Sequence, residues 1–367
     1  MTKHFTLSIV VVAAWATLEW RVTARVADPD PRPVDRVFFQ YDYFKQVRAS
    51  PDHARLQSPF LNQNSTGIVA SNNIVCFIDP VTGETRSPFT LYTPPLRVPM
   101  NVVAGNWTNR LVAITAPAEA SNNSPRVVAM GPPHQLIGDL PRASGADQSG
   151  TSIAVGNFTG DAQLDIAYTT GAGPATRITF GTLGQNRWYT FLPAGDSYNG
   201  GARLTAGPLR RNGFDQLIVA MDGGRVDIFG LSDDEIERMG SDFPVGPTPN
   251  VTPFVDAFDT NNDGRWELLV ADTSHVTAID LNNGATPLTL WQHQPFNAAV
   301  PGGIQFSAGL AGGKLILGAV NRQLLSIWSM DPATQAWMQT FSGAPFGNAA
   351  LPMSFWLYDP YYDVVPR

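Results

Sequence analysis

Residues 256–271 read Asp-Ala-Phe-Asp-Thr-Asn-Asn-Asp-Gly-Arg-Trp-Glu-Leu-Leu-Val-Ala, a turn-forming loop followed directly by an apolar run. Side chains with carboxylate or amide oxygens alternate from Asp259 to Asp263, and an acid, Glu267, closes the loop. Hard cations such as Ca²⁺ take oxygen ligands in this kind of arrangement. An EF-hand would place its closing acid three positions later and flank the loop with helices, whereas here a β-rich run follows. The stretch predicts a calcium loop inside a β-hairpin, with an ordinary Asp/Asn/Gly turn as the alternative.

A second loop of the same design lies about one hundred residues upstream, where residues 157–165 read Asn-Phe-Thr-Gly-Asp-Ala-Gln-Leu-Asp. An apolar strand, Ile166-Ala-Tyr168, again follows it. Oxygen-bearing side chains occupy the same first, third, fifth and ninth places, and Gln163 at the seventh place can offer its backbone carbonyl. This recurrence favours metal binding over a chance turn sequence.

The surrounding sequence repeats with a period of about fifty residues. A strand that ends in a turn residue recurs at intervals of 49 to 52 residues, with the turn residues at Asp79, Gly131, Gly181, Gly230, Asp280 and Asp331. Each unit after the first also carries an upstream strand and a second apolar strand, and most units have a fourth, often aromatic, strand after the turn. Four short strands in each such repeat are typical of a propeller blade. The sequence therefore predicts an all-β protein, a β-propeller of four-stranded antiparallel blades.

The two ends of the repeat region predict how the propeller closes. The first unit lacks a convincing opening strand, while Met353-Ser-Phe-Trp-Leu-Tyr358 forms a strand without a blade. If the C-terminal strand completes the first sheet, the propeller has six blades and no exposed edge. Seven blades are the alternative, if residues 34–44 and the C-terminal strand build one further sheet. One helix-like piece, Ser232-Asp-Asp-Glu-Ile-Glu-Arg238, stands where an outer strand belongs.

The two loops resemble the FG-GAP or VCBS type of repeat, in which a strand, a GDxNGDGxxD-like loop and an apolar strand follow one another. Such repeats form β-propellers in the integrin α head and in many secreted bacterial proteins, with Ca²⁺ held in the hairpin loops. The resemblance implies structural Ca²⁺ at one or two sites. Its implied ligands are Asp259, Asn261, Asp263, Glu267 and the carbonyl of Arg265 in one loop, and Asn157, Thr159, Asp161 and Asp165 in the other.

Composition restricts the possible partners. Charged residues make up 15% of the chain, and the net charge is −7. This balance, without any Lys/Arg cluster, argues against binding to nucleic acid or to anionic lipid. The single cysteine, Cys76, lies in an apolar strand-like run, so it predicts a buried thiol and excludes an internal disulfide.

The N-terminal region predicts export. Residues 1–27 carry Lys3 and His4, an apolar run and small residues suited to cleavage, as a signal peptide does; a short N-terminal anchor is the alternative. We expect residues 28–66 to form a proline-rich linker and an N-terminal strand, and residues 67–367 to form the propeller. No later segment has the length of a transmembrane helix. We therefore expect a secreted or cell-surface protein without a membrane span in the mature chain.

Motifs for catalysis are missing from the sequence. The five histidines form no HExxH or clustered metal spacing, and no GxSxG or phosphate-binding loop occurs. The sequence favours a non-catalytic binding or adhesion module for an extracellular glycan or a cell-surface protein. The alternatives are a polysaccharide hydrolase or lyase and a structural envelope or matrix protein. Four aromatics are candidates for stacking on sugars, with core packing as the alternative: Trp107, Trp188, Tyr189 and Trp266.

Overall fold

The computed structural model describes residues 66–358 with gaps between. The gaps are residues 72–73, 91–99, 108–109, 118–124, 130–134, 142–150, 160–162, 170–174, 186, 210–213, 232–235, 245–251, 262–264, 282–286, 312–313, 322–323, 332 and 346–352. The predicted signal peptide and almost all of the predicted linker segment lie outside the described residues, as does the 34–44 strand of the seven-blade alternative.

The described residues form twenty-four β-strands. The first twelve are β1 Thr66–Ser71, β2 Ile74–Ile78, β3 Thr85–Thr90, β4 Met100–Trp107, β5 Arg110–Pro117, β6 Arg126–Ala129, β7 Gln135–Asp139, β8 Ile153–Gly156, β9 Asp165–Thr169, β10 Ile178–Thr182, β11 Trp188–Phe191 and β12 Ala202–Gly207. The others are β13 Gln216–Met221, β14 Arg225–Leu231, β15 Ile236–Pro244, β16 Phe254–Phe258, β17 Glu267–Ala271, β18 Val276–Asp280, β19 Leu288–His293, β20 Gln305–Ala311, β21 Lys314–Val320, β22 Leu325–Met330, β23 Trp337–Gly343 and β24 Met353–Tyr358.

These strands make six four-stranded antiparallel sheets in the described part of the chain. The first sheet has the order β24-β1-β2-β3, and each later sheet contains four consecutive strands: β4–β7, β8–β11, β12–β15, β16–β19 and β20–β23. In the first sheet β24 pairs with β1 along its whole length, from Thr66 opposite Tyr358 to Ser71 opposite Met353. The prediction that the C-terminal strand completes the first sheet is confirmed, as are the all-β class and the four-stranded antiparallel blade.

The sheets are arranged in a ring. One strand of each sheet contacts its counterparts in the neighbouring sheets, and the series β24, β4, β8, β12, β16, β20 returns to β24. These six are the inner strands. Hydrophobic clusters fill the spaces between successive sheets, as where Phe258 and Leu269 of the fifth sheet pack with Phe306 and Leu317 of the sixth. A closed ring of sheets whose cores lie between blades is a β-propeller.

The helix-like prediction around residue 236 is wrong. Ile236–Pro244 is the outer strand β15, which pairs with β14 from Arg225 opposite Pro244 to Leu231 opposite Ile236. The acids that suggested a helix N-terminus belong to a short acidic stretch whose first residues lie in the 232–235 gap. Pairing with β14 satisfies the backbone of this segment, and that tertiary interaction overrides a weak local helix propensity.

Two further expectations concern burial and membrane contact. Cys76 is buried on β2, which confirms the predicted buried thiol, and desolvation raises the pKa of that thiol to about 12. Among the residues that the structure describes, no helix has the length and apolar character needed to cross a membrane.

Candidate functional site

The 259–267 loop joins the inner strand β16 to β17. Asp259 and Glu267 are both buried, at 2% and 1% exposure, at the base of the loop. The Glu267 carboxylate accepts hydrogen bonds from the backbone N–H and the hydroxyl of Thr260, at 2.7 and 2.8 Å. The indole N–H of Trp291 in turn donates to the Thr260 hydroxyl at 3.3 Å. Glu267, at the end of the loop, therefore stabilises the start of the same loop. Asn261 and Arg265 are exposed.

The 157–165 loop between β8 and β9 has the same bracing. Asp165 is fully buried, and its Oδ2 accepts from the backbone N–H of Phe158 at 2.8 Å and from both the N–H and the hydroxyl of Thr159 at 3.0 Å. Its Oδ1 accepts from the hydroxyl of Thr182 at 2.6 Å. The backbone N–H of Asn157 donates to the carboxylate of Asp215, just before β13 of the next sheet, at 2.7 Å. Asn157 is buried with Asp165, whereas Gln163 is exposed.

Both loop tips lie outside the described residues. Asp161 is in the 160–162 gap and Asp263 is in the 262–264 gap. The structure thus brings Asp259 to Glu267 and Asn157 to Asp165 at the two loop bases, and it leaves the central acid of each predicted set undescribed. Within the described ranges, no group of three or more His, Cys, Asp or Glu side chains is placed to hold a metal ion.

A cavity of about 510 Å³ lies where the β19–β20 connection approaches the outer half of the sixth sheet. One wall is the segment 295–301, which is held by the buried side chains of Phe296 and Val300. The backbone N–H of Val300 donates to the carbonyl of Thr273 at 2.6 Å, so this wall is fixed to the fifth sheet. The cavity is lined by residues 295–301, Asn321, Leu324, Ser326, Trp328, Gln339 and Ser342.

The sixth sheet supplies the polar groups of the cavity. Gln339 on β23 stands opposite Trp328 on β22, and its amide nitrogen donates to the hydroxyl of Ser326 at 2.6 Å. This bond orients the Gln339 carbonyl oxygen as an acceptor and leaves the Ser326 hydroxyl proton as a donor. The described lining contains amides, hydroxyls, an indole and apolar groups, and it contains no ionisable side chain. Residues 322–323, beside Asn321, are in a gap.

An aromatic stack supports the Trp328 side of the cavity. The His293 ring lies 4.2 Å from the Trp337 ring at 19° and 4.6 Å from the Trp328 ring at 68°. The indole nitrogen of Trp328 and Nε2 of His293 are buried without a hydrogen-bond partner. Desolvation lowers the pKa of His293 to about 4, so the imidazole is neutral at neutral pH.

The four aromatics that the sequence offered for stacking on sugars pack between sheets instead. Trp266 is buried against Phe258, with ring centroids 5.9 Å apart. Tyr189 stacks on Phe180 at 5.2 Å, Trp188 meets Tyr168 edge to face at 5.8 Å, and the indole of Trp107 donates to the carbonyl of Leu183 at 3.1 Å. Their alternative interpretation, core packing, is confirmed.

Sequence reasoning missed the cavity. Trp328 lies in the strand that precedes the turn residue Asp331, which the repeat spacing predicts, but nothing in the sequence shows which face of that strand is open. The available signal was the segment Pro295-Phe-Asn-Ala-Ala-Val-Pro301, in which two prolines enclose a short, mostly apolar segment between predicted blades. Such a connection favours a rigid loop on the rim of a scaffold, where binding residues are common.

No family model and no curated protein sequence matches this chain. The FG-GAP or VCBS assignment therefore stays a prediction. Solved structures do match. A chain of the nidogen/laminin complex is 14% identical with a TM-score of 0.50, and the match covers 80% of this chain and 98% of that one.

Two further structures show the same level of likeness. A Bacteroides caccae protein of unknown function is 11% identical with a TM-score of 0.50, covering 80% of this chain and 98% of its own. The lectin of Aleuria aurantia, in complex with Fucα1-6GlcNAc, is 12% identical with a TM-score of 0.49, covering 77% of this chain and 97% of its own. At identities this low, the nidogen/laminin and Bacteroides caccae matches show a common fold alone, the propeller.

Proposed function

We propose that this propeller is a non-catalytic module that binds a neutral saccharide unit in the cavity beside Trp328. The observation that carries the proposal is the lining: an indole, amides and hydroxyls surround the cavity, and its described residues include no acid or base. Sugars present hydroxyls that pair with such groups and apolar faces that pack on aromatic rings. The volume of about 510 Å³ falls in the range of small-ligand sites and is small for a protein partner.

The lack of an ionisable lining group in the described cavity also favours binding without turnover. Glycoside cleavage uses a pair of carboxylates on either side of the scissile bond. A hydrolase or lyase acting at this cavity would need such groups from residues other than those that line it here.

The proposal also includes structural calcium in the two loops and a location outside the cell. We infer that the 259–267 loop, and more weakly the 157–165 loop, hold Ca²⁺ for structure. The support is the buried pair Asp259 and Glu267, since buried carboxylates are stable when a cation or hydrogen bonds compensate them. The export signal expected in residues 1–27 would place the module outside the cell, where glycans are its partners.

The test is a saccharide-binding screen followed by calorimetry on Gln339→Ala. Loss of the Gln339 carbonyl and of its bond to Ser326 should weaken binding by about tenfold, the effect of one or two hydrogen bonds. Gln292→Ala is the matched control, because Gln292 is also an exposed glutamine on an outer strand that bonds a hydroxyl, Thr277, at 3.4 Å, but it lies outside the cavity lining. Equal affinities for the two variants, or hydrolysis of the bound sugar, would contradict the proposal.

A further inference from the structure

The turn between β21 and β22 brings a side-chain amide to the cavity beside Trp328. Asn321 opens this turn, is half-buried and belongs to the cavity lining. Its backbone N–H donates to the carbonyl of Leu324 at 3.1 Å, and its Oδ1 accepts from the backbone N–H of Leu324 at 3.0 Å. The side-chain oxygen therefore closes the turn, and the two N–H donors of Nδ2 take no part in that closure.

The corresponding turn of the fifth sheet, between β17 and β18, is closed in the same way by an acid. The backbone N–H of Asp272 donates to the carbonyl of His275 at 3.0 Å, and Oδ1 of Asp272 accepts from the backbone N–H of His275 at 2.7 Å. The strand pairs that flank the two turns have the same register. An aspartate oxygen is thus sufficient for this turn, so turn formation does not explain why residue 321 is an amide.

The accessible side chains of the lining supply a donor, an acceptor and apolar surface. Asn321 offers the N–H donors of its amide, whereas Gln339, whose nitrogen donates to Ser326, offers its carbonyl oxygen. Trp328 is half-buried, but its indole nitrogen is buried without a hydrogen-bond partner, so the exposed part of its ring is carbon. Leu324, also half-buried, adds further apolar surface. The cavity is therefore complementary to a neutral group that has an acceptor, a donor and an apolar end.

We propose that the cavity selects sugars that carry an acetamido group, the class of the N-acetylhexosamines; this inference rests on the proposed saccharide site. The acetamido carbonyl accepts from the amide of Asn321, the acetamido N–H donates to the carbonyl of Gln339, and the methyl group packs on the apolar surface of Trp328 and Leu324. A hydroxyl in the same place has a single polar atom and no methyl group. It leaves one of the two amides without its partner, and sites built for a hydrogen bond discriminate against ligands that lack it.

The experiment measures calorimetric binding of the full chain to two pairs of sugars, N-acetyl-D-glucosamine with D-glucose and N-acetyl-D-galactosamine with D-galactose. The members of each pair differ only in an acetamido group against a hydroxyl. In at least one pair we expect the acetamido sugar to bind about tenfold more tightly, the effect of an added hydrogen bond and a packed methyl group. Equal affinities within both pairs, or binding of other neutral sugars alone, overturn the acetamido inference and leave the saccharide site standing. If no neutral saccharide binds, both proposals fail.

Asn321→Asp tests the donor directly, because it keeps the oxygen that closes the turn, as Asp272 does in the fifth sheet, and loses the N–H donors. It should reduce the preference for the acetamido sugar severalfold while a sugar with a hydroxyl, which can donate to the carboxylate, still binds. Asn321→Ser also has an oxygen for the turn and adds no charge, so it should show the same loss of preference. Asp272→Asn makes the reverse change outside the cavity lining and should keep the preference. An unchanged preference in both Asn321 variants would overturn the proposal.

Discussion

At the scale of single residues, Asp256 shows how one substitution within a repeat changes the chemistry of the ring. The corresponding positions of other units are glycine, at 105, 156, 207 and 309. A Cβ at Gly207 would lie 2.7 Å from Cβ of Ala257 in the next sheet, so glycine is required there by close approach. In the fifth sheet the position instead carries a buried carboxylate.

The Asp256 carboxylate ties three inner strands together. Oδ1 accepts from the hydroxyl of Thr205 on β12 at 3.2 Å and from the N–H of Ala257 on its own strand at 2.9 Å. Oδ2 accepts from the N–H of Ala308 on β20 at 2.9 Å. Burial raises the pKa of Asp256 to about 6, even though these hydrogen bonds act to lower it.

This pKa predicts a pH dependence of stability. Because the folded pKa lies above the unfolded value near 4, the contribution of Asp256 is full below about pH 4 and is lost as pH rises through 6. In Asp256→Asn, residue 256 cannot ionise. At pH 4 this variant should be less stable than the parent by about 1 kcal/mol, because it lacks the hydrogen bond from the Ala308 N–H. The gap should close or reverse by pH 8.

Urea denaturation at several pH values between 4 and 8 measures this difference. Asp196→Asn, a change at an exposed aspartate, should follow the parent at every pH. Parallel stability curves for the parent and Asp256→Asn would rule out the assigned ionisation.

At the scale of elements, the 259–267 loop contains an acid, Glu267, for which two roles can be tested separately. Glu267 braces Thr260 by hydrogen bonds, and the resemblance makes it a calcium ligand as well. Replacing Glu267 and Thr260 in turn distinguishes hydrogen bonding within the loop from metal binding.

Glu267→Gln keeps an oxygen for Thr260 and loses the negative charge. It should abolish the rise in melting temperature that calcium gives the parent, which corresponds to about 2.7 kcal/mol when calcium exceeds Kd a hundredfold. Thr260→Val keeps the carboxylate and loses the hydroxyl that accepts from Trp291, so it should lower the melting temperature equally in calcium and in chelator. If Glu267→Gln also shows the same loss in both conditions, the loop is a braced turn and holds no calcium.

The sequence predicted the elements well where repetition supplied the evidence. The strands that end at the turn residues from Asp79 to Asp331 recur at a nearly fixed interval, and four strands in each interval predict the blade. The segment at Ile236 was misjudged because its own residues suggest a helix and its partner β14 decides otherwise. The cavity was not predicted, since Phe296 and Trp328 line it through contacts between separate blades that no single repeat encodes.

At the scale of the whole molecule, the ring depends on its closing strand. β24 is the inner strand of the first sheet, and it contacts both neighbouring inner strands, β20 and β4. Without it, β1 would present an unpaired edge, and the first and sixth sheets would lose the contacts that join them on the inside.

We therefore expect a chain truncated after residue 352 to melt at a much lower temperature and to associate through the exposed edge of β1. A chain truncated after residue 358 keeps every residue of β24 and is the matched control; it should behave as the parent. Light scattering after gel filtration, with thermal melts, measures both effects. A synthetic peptide of residues 353–358 should restore part of the stability of the shorter chain, because it can add a strand to that edge. A monomeric chain that melts with the parent after loss of residues 353–367 would show that the propeller closes through other contacts.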